Sequence, residues 1–248
     1  MTKTTGTWRK LEIEGKPADV YEPAEPADSG RVILFLEGDQ EPSLKSSAPF
    51  SAACERHGLR VVSPHGRQSW WTNVVCPTFD ESISPLCYVR EQVMPFIRRQ
   101  WNSAPGEIGL MGIGLGGQGV LQLAYRFPRD FPVVAAIAPA VDFHNWHGRG
   151  LSLDGMFANR EAARQQTVVL HLHPLNWPRH QLLLSDPADE DWHEGAERLA
   201  MKLSASGVPF EADLMTSHGG RCQEYFDAVS GLAVDFVADR LEQIACRD

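Results

Sequence analysis

The residues best placed to do chemistry form the run Met111-Gly112-Ile113-Gly114-Leu115-Gly116-Gly117-Gln118-Gly119. An apolar strand, Ile108 to Met111, leads into it and a helix, Val120 to Tyr125, leads out. A strand–turn–helix of the form G-x-S-x-G holds a serine hydroxyl on a sharp, strained turn, where it can attack a carbonyl carbon. Here Gly114 stands where that serine would be, and glycine has no oxygen to offer. Glycine does adopt freely the backbone conformations that cost a side-chain-bearing residue about 1–3 kcal/mol. A serine-to-glycine exchange therefore removes the nucleophile and relaxes the turn together.

Other segments carry groups that could act beside this turn. The acidic run Asp186-Pro187-Ala188-Asp189-Glu190-Asp191 follows an apolar segment, and Thr216-Ser217-His218-Gly219-Gly220-Arg221-Cys222 lies further on. Histidine accepts a proton near neutral pH, whereas arginine, with a pKa above ~12, does not. The spacing Gly112-x-Gly114-x-x-Gly117 also satisfies a dinucleotide-binding fingerprint. That motif wants an acidic residue about 20 positions on. Asp130 comes too early and Asp142 late, so nucleotide binding stands as the lesser alternative. His171 and His173, with His180 nearby, would share one face of a strand, but no cysteine or carboxylate cluster completes a ligand set. No metal and no cofactor are expected.

The elements that must hold these groups can be read from periodicity. Trp8 to Ile13 and Pro17 to Tyr21 form a hairpin about Glu14-Gly15, and Glu22 to Gly30 is a loop. Val32 to Leu36 and Val133 to Ile137 are apolar runs of the kind buried on both faces of a sheet, and Leu59 to Val62 and Gln181 to Ser185 are further strands. Phe210 to Leu214 is the last strand, and Thr167 to Leu172 a further one within an insertion. Helices run from Ala48 to Arg56, stopped by Gly58, and from Cys87 to Trp101, kinked by Pro95. Two more carry Ala196, Leu199, Ala200 and Leu203 up to Gly207, and Phe226 through Leu241 to about Ile244. Strands alternating with helices define an α/β fold, a mostly parallel central sheet with helices on both faces. Such sheets place their sites at the carboxyl ends of the strands.

Composition narrows the partners. The 248 residues are 43% hydrophobic and 22% charged, with a net charge of −9 and no basic stripe, which argues against nucleic acid. No apolar run approaches the ~20 residues of a membrane span, and the start has no signal-peptide pattern. A cytoplasmic protein is expected. The five cysteines are scattered, so free thiols are expected, although Cys76 and Cys87 could bridge a loop in an oxidising compartment.

The segments GLMGIGLGGQGVLQLAYRFP, FPVVAAIAPAVDFHNWHG and SDPADEDW resemble the esterase branch of the α/β hydrolases. That branch includes esterase D-like enzymes and feruloyl and tannin esterase modules. The likeness runs from about Val32 onward, with motifs in the order nucleophile, acid, histidine. It implies an α/β-hydrolase fold, one domain over residues 1–248, with about 143–180 an insertion or cap-like segment. It also implies a serine, a histidine that takes its proton, and a carboxylate that orients the histidine. Carried over, the serine position is Gly114 and the acid position Asp189, with Asp186 and Asp191 as near alternatives. Relatives reading G-G-H in the last loop put Arg221 on the histidine position and leave His218 three residues early.

The family's oxyanion hole would use backbone N–H groups near Gly38 or Asp39 and at Leu115. Glu37 replaces the usual histidine of its H-G pair and would repel an oxyanion, unless it points to solvent or pairs with Arg221. Trp70, Trp71 and His144 line the pocket or pack beneath its loops, and His144 or His147 could serve a different acid–base chemistry. The resemblance thus implies a pseudo-esterase that keeps a pocket for a small ester-, acyl- or sugar-like ligand, or for a protein partner. The alternative is an active ester hydrolase using water, with Asp189 and His218 moving protons. A homo-oligomer is compatible with either.

Overall fold

Continuous apolar runs become strands buried along their length. In the computed structural model, which describes residues 6–27, 30–38, 43–104 and 106–246, Val32–Leu36 forms β3 and Val133–Ile137 forms β6, buried at every position. Ile108–Ile113 forms β5 between them, and the parallel register sets Leu34 against Leu110 and Leu110 against Val134. The hairpin β1 (Thr7–Ile13) and β2 (Lys16–Glu22) turns at Glu14-Gly15 and joins antiparallel to β4 (Arg60–Pro64). With β7 (His180–Leu184) and β8 (Glu211–Asp213), the order is β1-β2-β4-β3-β5-β6-β7-β8, parallel from β4 onward.

Alternation along each strand supplies two cores. Ile33, Phe35, Met111 and Ile113 face α1 (Ala48–His57) and the long α8 (Gln223–Ala245), where Phe35, Phe50 and Phe226 pack ring against ring. Leu34, Leu36, Ile108 and Leu110 face the opposite layer, which contains α2 (Pro85–Tyr88), α3 (Met94–Trp101), α4 (Leu115–Arg126) and α7 (His193–Ala205). Helix α1 ends on Gly58, which takes the left-handed conformation expected of a helix stop.

Two expectations are corrected. The helix over Cys87 to Trp101 starts at Pro85, and a π-helical turn over Val89–Val93 joins α2 to α3. That wide turn lies just before Pro95, which has no N–H to donate back along the helix. Thr167 to Leu172 is not a strand: Val168–Leu170 is a 3-10 turn closed by Leu170 N–H on Thr167 O at 3.1 Å. Its backbone donors are used locally, His171 N–H bonding to Val168 O at 3.0 Å as well, so they are not available to a strand ladder. The remainder of this insertion is α5 (Ser152–Met156), α6 (Arg160–Arg164) and a 3-10 turn at Phe143–Trp146. Among the described residues no helix is long and apolar enough to cross a membrane. The five cysteines are free, Cys76 and Cys87 included.

Candidate functional site

The carboxyl end of β5 runs directly into Gly114, the N-cap of α4, at φ 55° and ψ −117°. This is a conformation that residues bearing a Cβ enter only under strain. The turn is fixed by its own peptide groups. Gly114 N–H donates to Ile137 O at 3.0 Å, and Gly114 O accepts from Gln118 N–H at 3.1 Å and Ala140 N–H at 2.9 Å. Close approach explains the other glycines. A Cβ on Gly116 would fall on the Leu36 carbonyl oxygen, and one on Gly117 would press on Ile137 O and Pro139. Helix α4 is thereby drawn against the ends of β3 and β6. Leu115 opens the helix, so its N–H is one of the donors that a helix cannot satisfy internally.

The acidic turn after β7 contains two buried carboxylates in opposite situations. Asp186 is fully buried and accepts four hydrogen bonds: Ala188 N–H (2.7 Å) and Ser217 Oγ (2.7 Å) on Oδ1, His218 N–H (2.6 Å) and Gly220 N–H (2.9 Å) on Oδ2. Burial pushes its pKa up, but the four donors outweigh that and hold it down to about 2. Asp186 is thus the clamp that sets the path of the 216–222 loop. Asp189 is also buried, but only Oδ1 is hydrogen-bonded, by Asp191 N–H (3.1 Å) and Trp192 N–H (3.3 Å). Its Oδ2 has no hydrogen-bond partner. Burial raises its pKa, and the positive charge of Arg221 is the strongest opposing influence.

The loop therefore brings Arg221, rather than His218, to the Asp189 carboxylate. Arg221 also lies over the Trp192 ring, 5.6 Å from its centroid. His218 is exposed and is tied down by its backbone, with its O accepting from Cys222 Sγ at 3.4 Å. Gly220 packs against Ala188, where a Cβ would come within 3.1 Å of the Ala188 carbonyl oxygen.

On the β3 side, Asp39 lies outside the described residues, and Gly38 is half-buried. Glu37 neither points to solvent nor pairs with Arg221. Burial raises its pKa, and the charges that act on it are those of His65, Asp19 and Lys45, across the β2–β4 edge. Asp19 there pairs with Lys45 at 2.7 Å and His65 at 2.9 Å. The groups that act on Glu37 thus belong to the β2–β4 side of β3, across the sheet from β7 and β8.

Trp70 and Trp71 are both buried and both left-handed, at φ 55° and 46°. Two consecutive bulky residues in that region mark local strain held by surrounding bonds. Gln118 Nε2 donates to Trp70 O at 2.5 Å, Trp70 Nε1 to Ser152 Oγ at 2.9 Å, and Trp71 Nε1 to Glu37 O at 2.8 Å. From Trp70 an aromatic strip continues through Trp146 (6.3 Å) to Trp192 (4.8 Å, stacked), ending under Arg221. His144 has its pKa lowered by burial and by Arg160 and Arg164, while His147 Nε2 is bonded to Phe157 O at 3.0 Å. His171 and His173 do not share a strand face: His171 sits 2.6 Å from Arg126, and His173 Nδ1 accepts from Leu175 N–H. Among the described residues no group of three or more potential ligands could hold a metal ion.

Sequence reasoning missed the polar chain inside α4. Gln118, Gln122 and Arg126 link in steps of four residues, Gln122 Nε2 to Gln118 Oε1 at 3.2 Å and Arg126 Nε to Gln122 Oε1 at 3.0 Å, and Arg126 reaches His171 in the insertion. The i, i+4, i+8 spacing of polar residues in an otherwise apolar helix was the available signal. Of the two acids weighed for a nucleotide's ribose, Asp142 is ion-paired with Arg198.

The family described as Putative esterase matches residues 17–221. The chain belongs to this family. Among solved structures it resembles an S-formylglutathione hydrolase from Agrobacterium tumefaciens, at 17% identity over 97% of this chain and 98% of that one, with a TM-score of 0.76. The S-formylglutathione hydrolase FrmB from Staphylococcus aureus aligns at 13% identity over 95% and 100% of the two chains, TM-score 0.72. A ferulic acid esterase aligns at 13% identity over 95% and 98%, TM-score 0.71. Identities this low establish the α/β-hydrolase fold and nothing finer. No curated protein sequence matches the chain.

Proposed function

We propose that this member of the esterase family has lost serine-based hydrolysis and retains its pocket as a binding site for a small ester-, acyl- or sugar-like ligand. The observation that carries the reading is Gly114 at the head of α4, in an elbow conformation but without a side chain. The acid that would orient a histidine is still present as Asp189, but the charged group beside it is Arg221. A guanidinium cannot accept a proton near neutral pH, so serine activation has no base. The same guanidinium, with the Leu115 N–H and the Trp146–Trp192 strip, suits an acyl ligand that carries an anionic oxygen. Hydrolysis through His218 has less support, since its imidazole has no carboxylate partner among the described residues.

The test is p-nitrophenyl acetate turnover together with fluorophosphonate labelling of the wild type, Gly114→Ser and Gly114→Ser/Arg221→His. The wild type and the single variant are expected to remain unlabelled and inactive, and the double variant to label. Wild-type turnover that disappears in His218→Ala would overturn the reading.

A further inference from the structure

The pole of the sheet opposite Gly114 holds a separate cavity of about 280 Å³. Its walls come from the segments entering three parallel strands, with Gly106 just before β5, Pro132 before β6 and Arg179 before β7. It therefore lies at the amino-terminal ends of strands whose carboxyl ends carry the Gly114 turn, and it shares no residue with that site. Arg129 and Arg179 both line it and are both exposed. Among the described residues neither has an ion pair or side-chain hydrogen bond. Among the described residues no carboxylate lines the cavity, in a chain whose net charge is −9.

Two guanidiniums on one cavity repel each other, and an oxyanion between them would turn that repulsion into paired charge-assisted hydrogen bonds. Trp177, half-buried, contributes a ring to the same wall, and Asn176 an amide. Gly106, at φ 90°, leaves the floor open, because a Cβ there would meet only Pro132 Cγ, at 3.9 Å. Small-molecule pockets run from about 300 Å³ upward, so this one has room for an oxyanion and one ring system, not for a dinucleotide.

We propose that this cavity binds a small phosphomonoester carried on a planar ring, with the phosphate between Arg129 and Arg179 and the ring against Trp177. The test is isothermal titration of the full chain at low ionic strength with inorganic phosphate, 1-naphthyl phosphate and 1-naphthol. Naphthyl phosphate should bind best, inorganic phosphate more weakly and naphthol not measurably. Either Arg129→Ala or Arg179→Ala should weaken both phosphates by roughly tenfold or more, as loss of a charge-assisted hydrogen bond does. Trp177→Ala should erase the advantage of the aryl ester alone. Added salt should weaken binding in the wild type. The proposal is overturned if neither phosphate binds, if naphthol binds as tightly as its phosphate, or if the Arg129→Ala/Arg179→Ala protein binds like the wild type. None of these outcomes depends on the elbow, so the test is independent of the reading of Gly114.

Discussion

Replacing Asp186 by asparagine separates the structural acid of this turn from the chemical one. The carboxylate serves four donors, two on each oxygen. An asparagine amide has one oxygen, so in either orientation two donors face an NH2 group. A buried donor left unsatisfied costs about 1–3 kcal/mol, which puts the loss for two at about 2–6 kcal/mol. The pKa gives a second route: Asp186 is held at about 2 against an ordinary 3.8. That difference corresponds to about 2 kcal/mol of preference for the charged form. The two routes overlap at the lower end. For a chain of this length about 1 kcal/mol moves Tm by about 2–4 °C, so at the overlap of about 2 kcal/mol Asp186→Asn should melt about 4–8 °C below the wild type at pH 7. Because the folded-state pKa is depressed, the difference is fully present above the unfolded value and closes as pH falls through 4 toward 2. Calorimetry across that range, with Asp189→Asn as comparison, is the assay. Asp189 has an unbonded oxygen and a pKa raised by burial, so its replacement should change stability by no more than about 1 kcal/mol. An Asp186→Asn protein as stable as the wild type, or an Asp189→Asn protein destabilised equally, would refute the assignment of the clamp.

Two further outcomes follow from the same geometry. Gly116→Ala places a Cβ on the Leu36 carbonyl oxygen, which neither backbone can relieve, and should lower stability by about 3 kcal/mol or more in chemical denaturation. His171, pushed down to about 4 by burial and by Arg126, should remain neutral in an NMR titration to below pH 5. Since its folded pKa lies below the unfolded value near 6.5, the unfolded chain binds the extra proton, and stability should decline from pH 6.5 to 4, a decline that His171→Gln abolishes.

The strands were legible because burial on both faces requires uninterrupted apolar runs, and β3, β5 and β6 have them. The Gly114 turn was legible because its glycines answer to backbone contacts only a few ångströms away. Thr167 to Leu172 was not, since its β-branched, apolar composition fits a strand, while its N–H groups bond locally in a 3-10 turn. Nor could spacing separate Asp186 from Asp189, three residues apart in one turn. The difference lies in donors arriving from residues 217–220, some thirty positions later. Glu37 was likewise decided by burial and by neighbours at Asp19, Ser63 and His65, on elements whose adjacency no local pattern reveals.

The polar chain through α4 fastens segments that are distant in sequence to one helix. Gln118 holds the Trp70 carbonyl at one end, and Arg126 meets His171 at the other, with Gln122 also bonded to the Gln166 carbonyl. Residues 166–171 and the Trp70 turn are thus riveted to the same helix, and drawing either away from α4 would break these bonds in one motion.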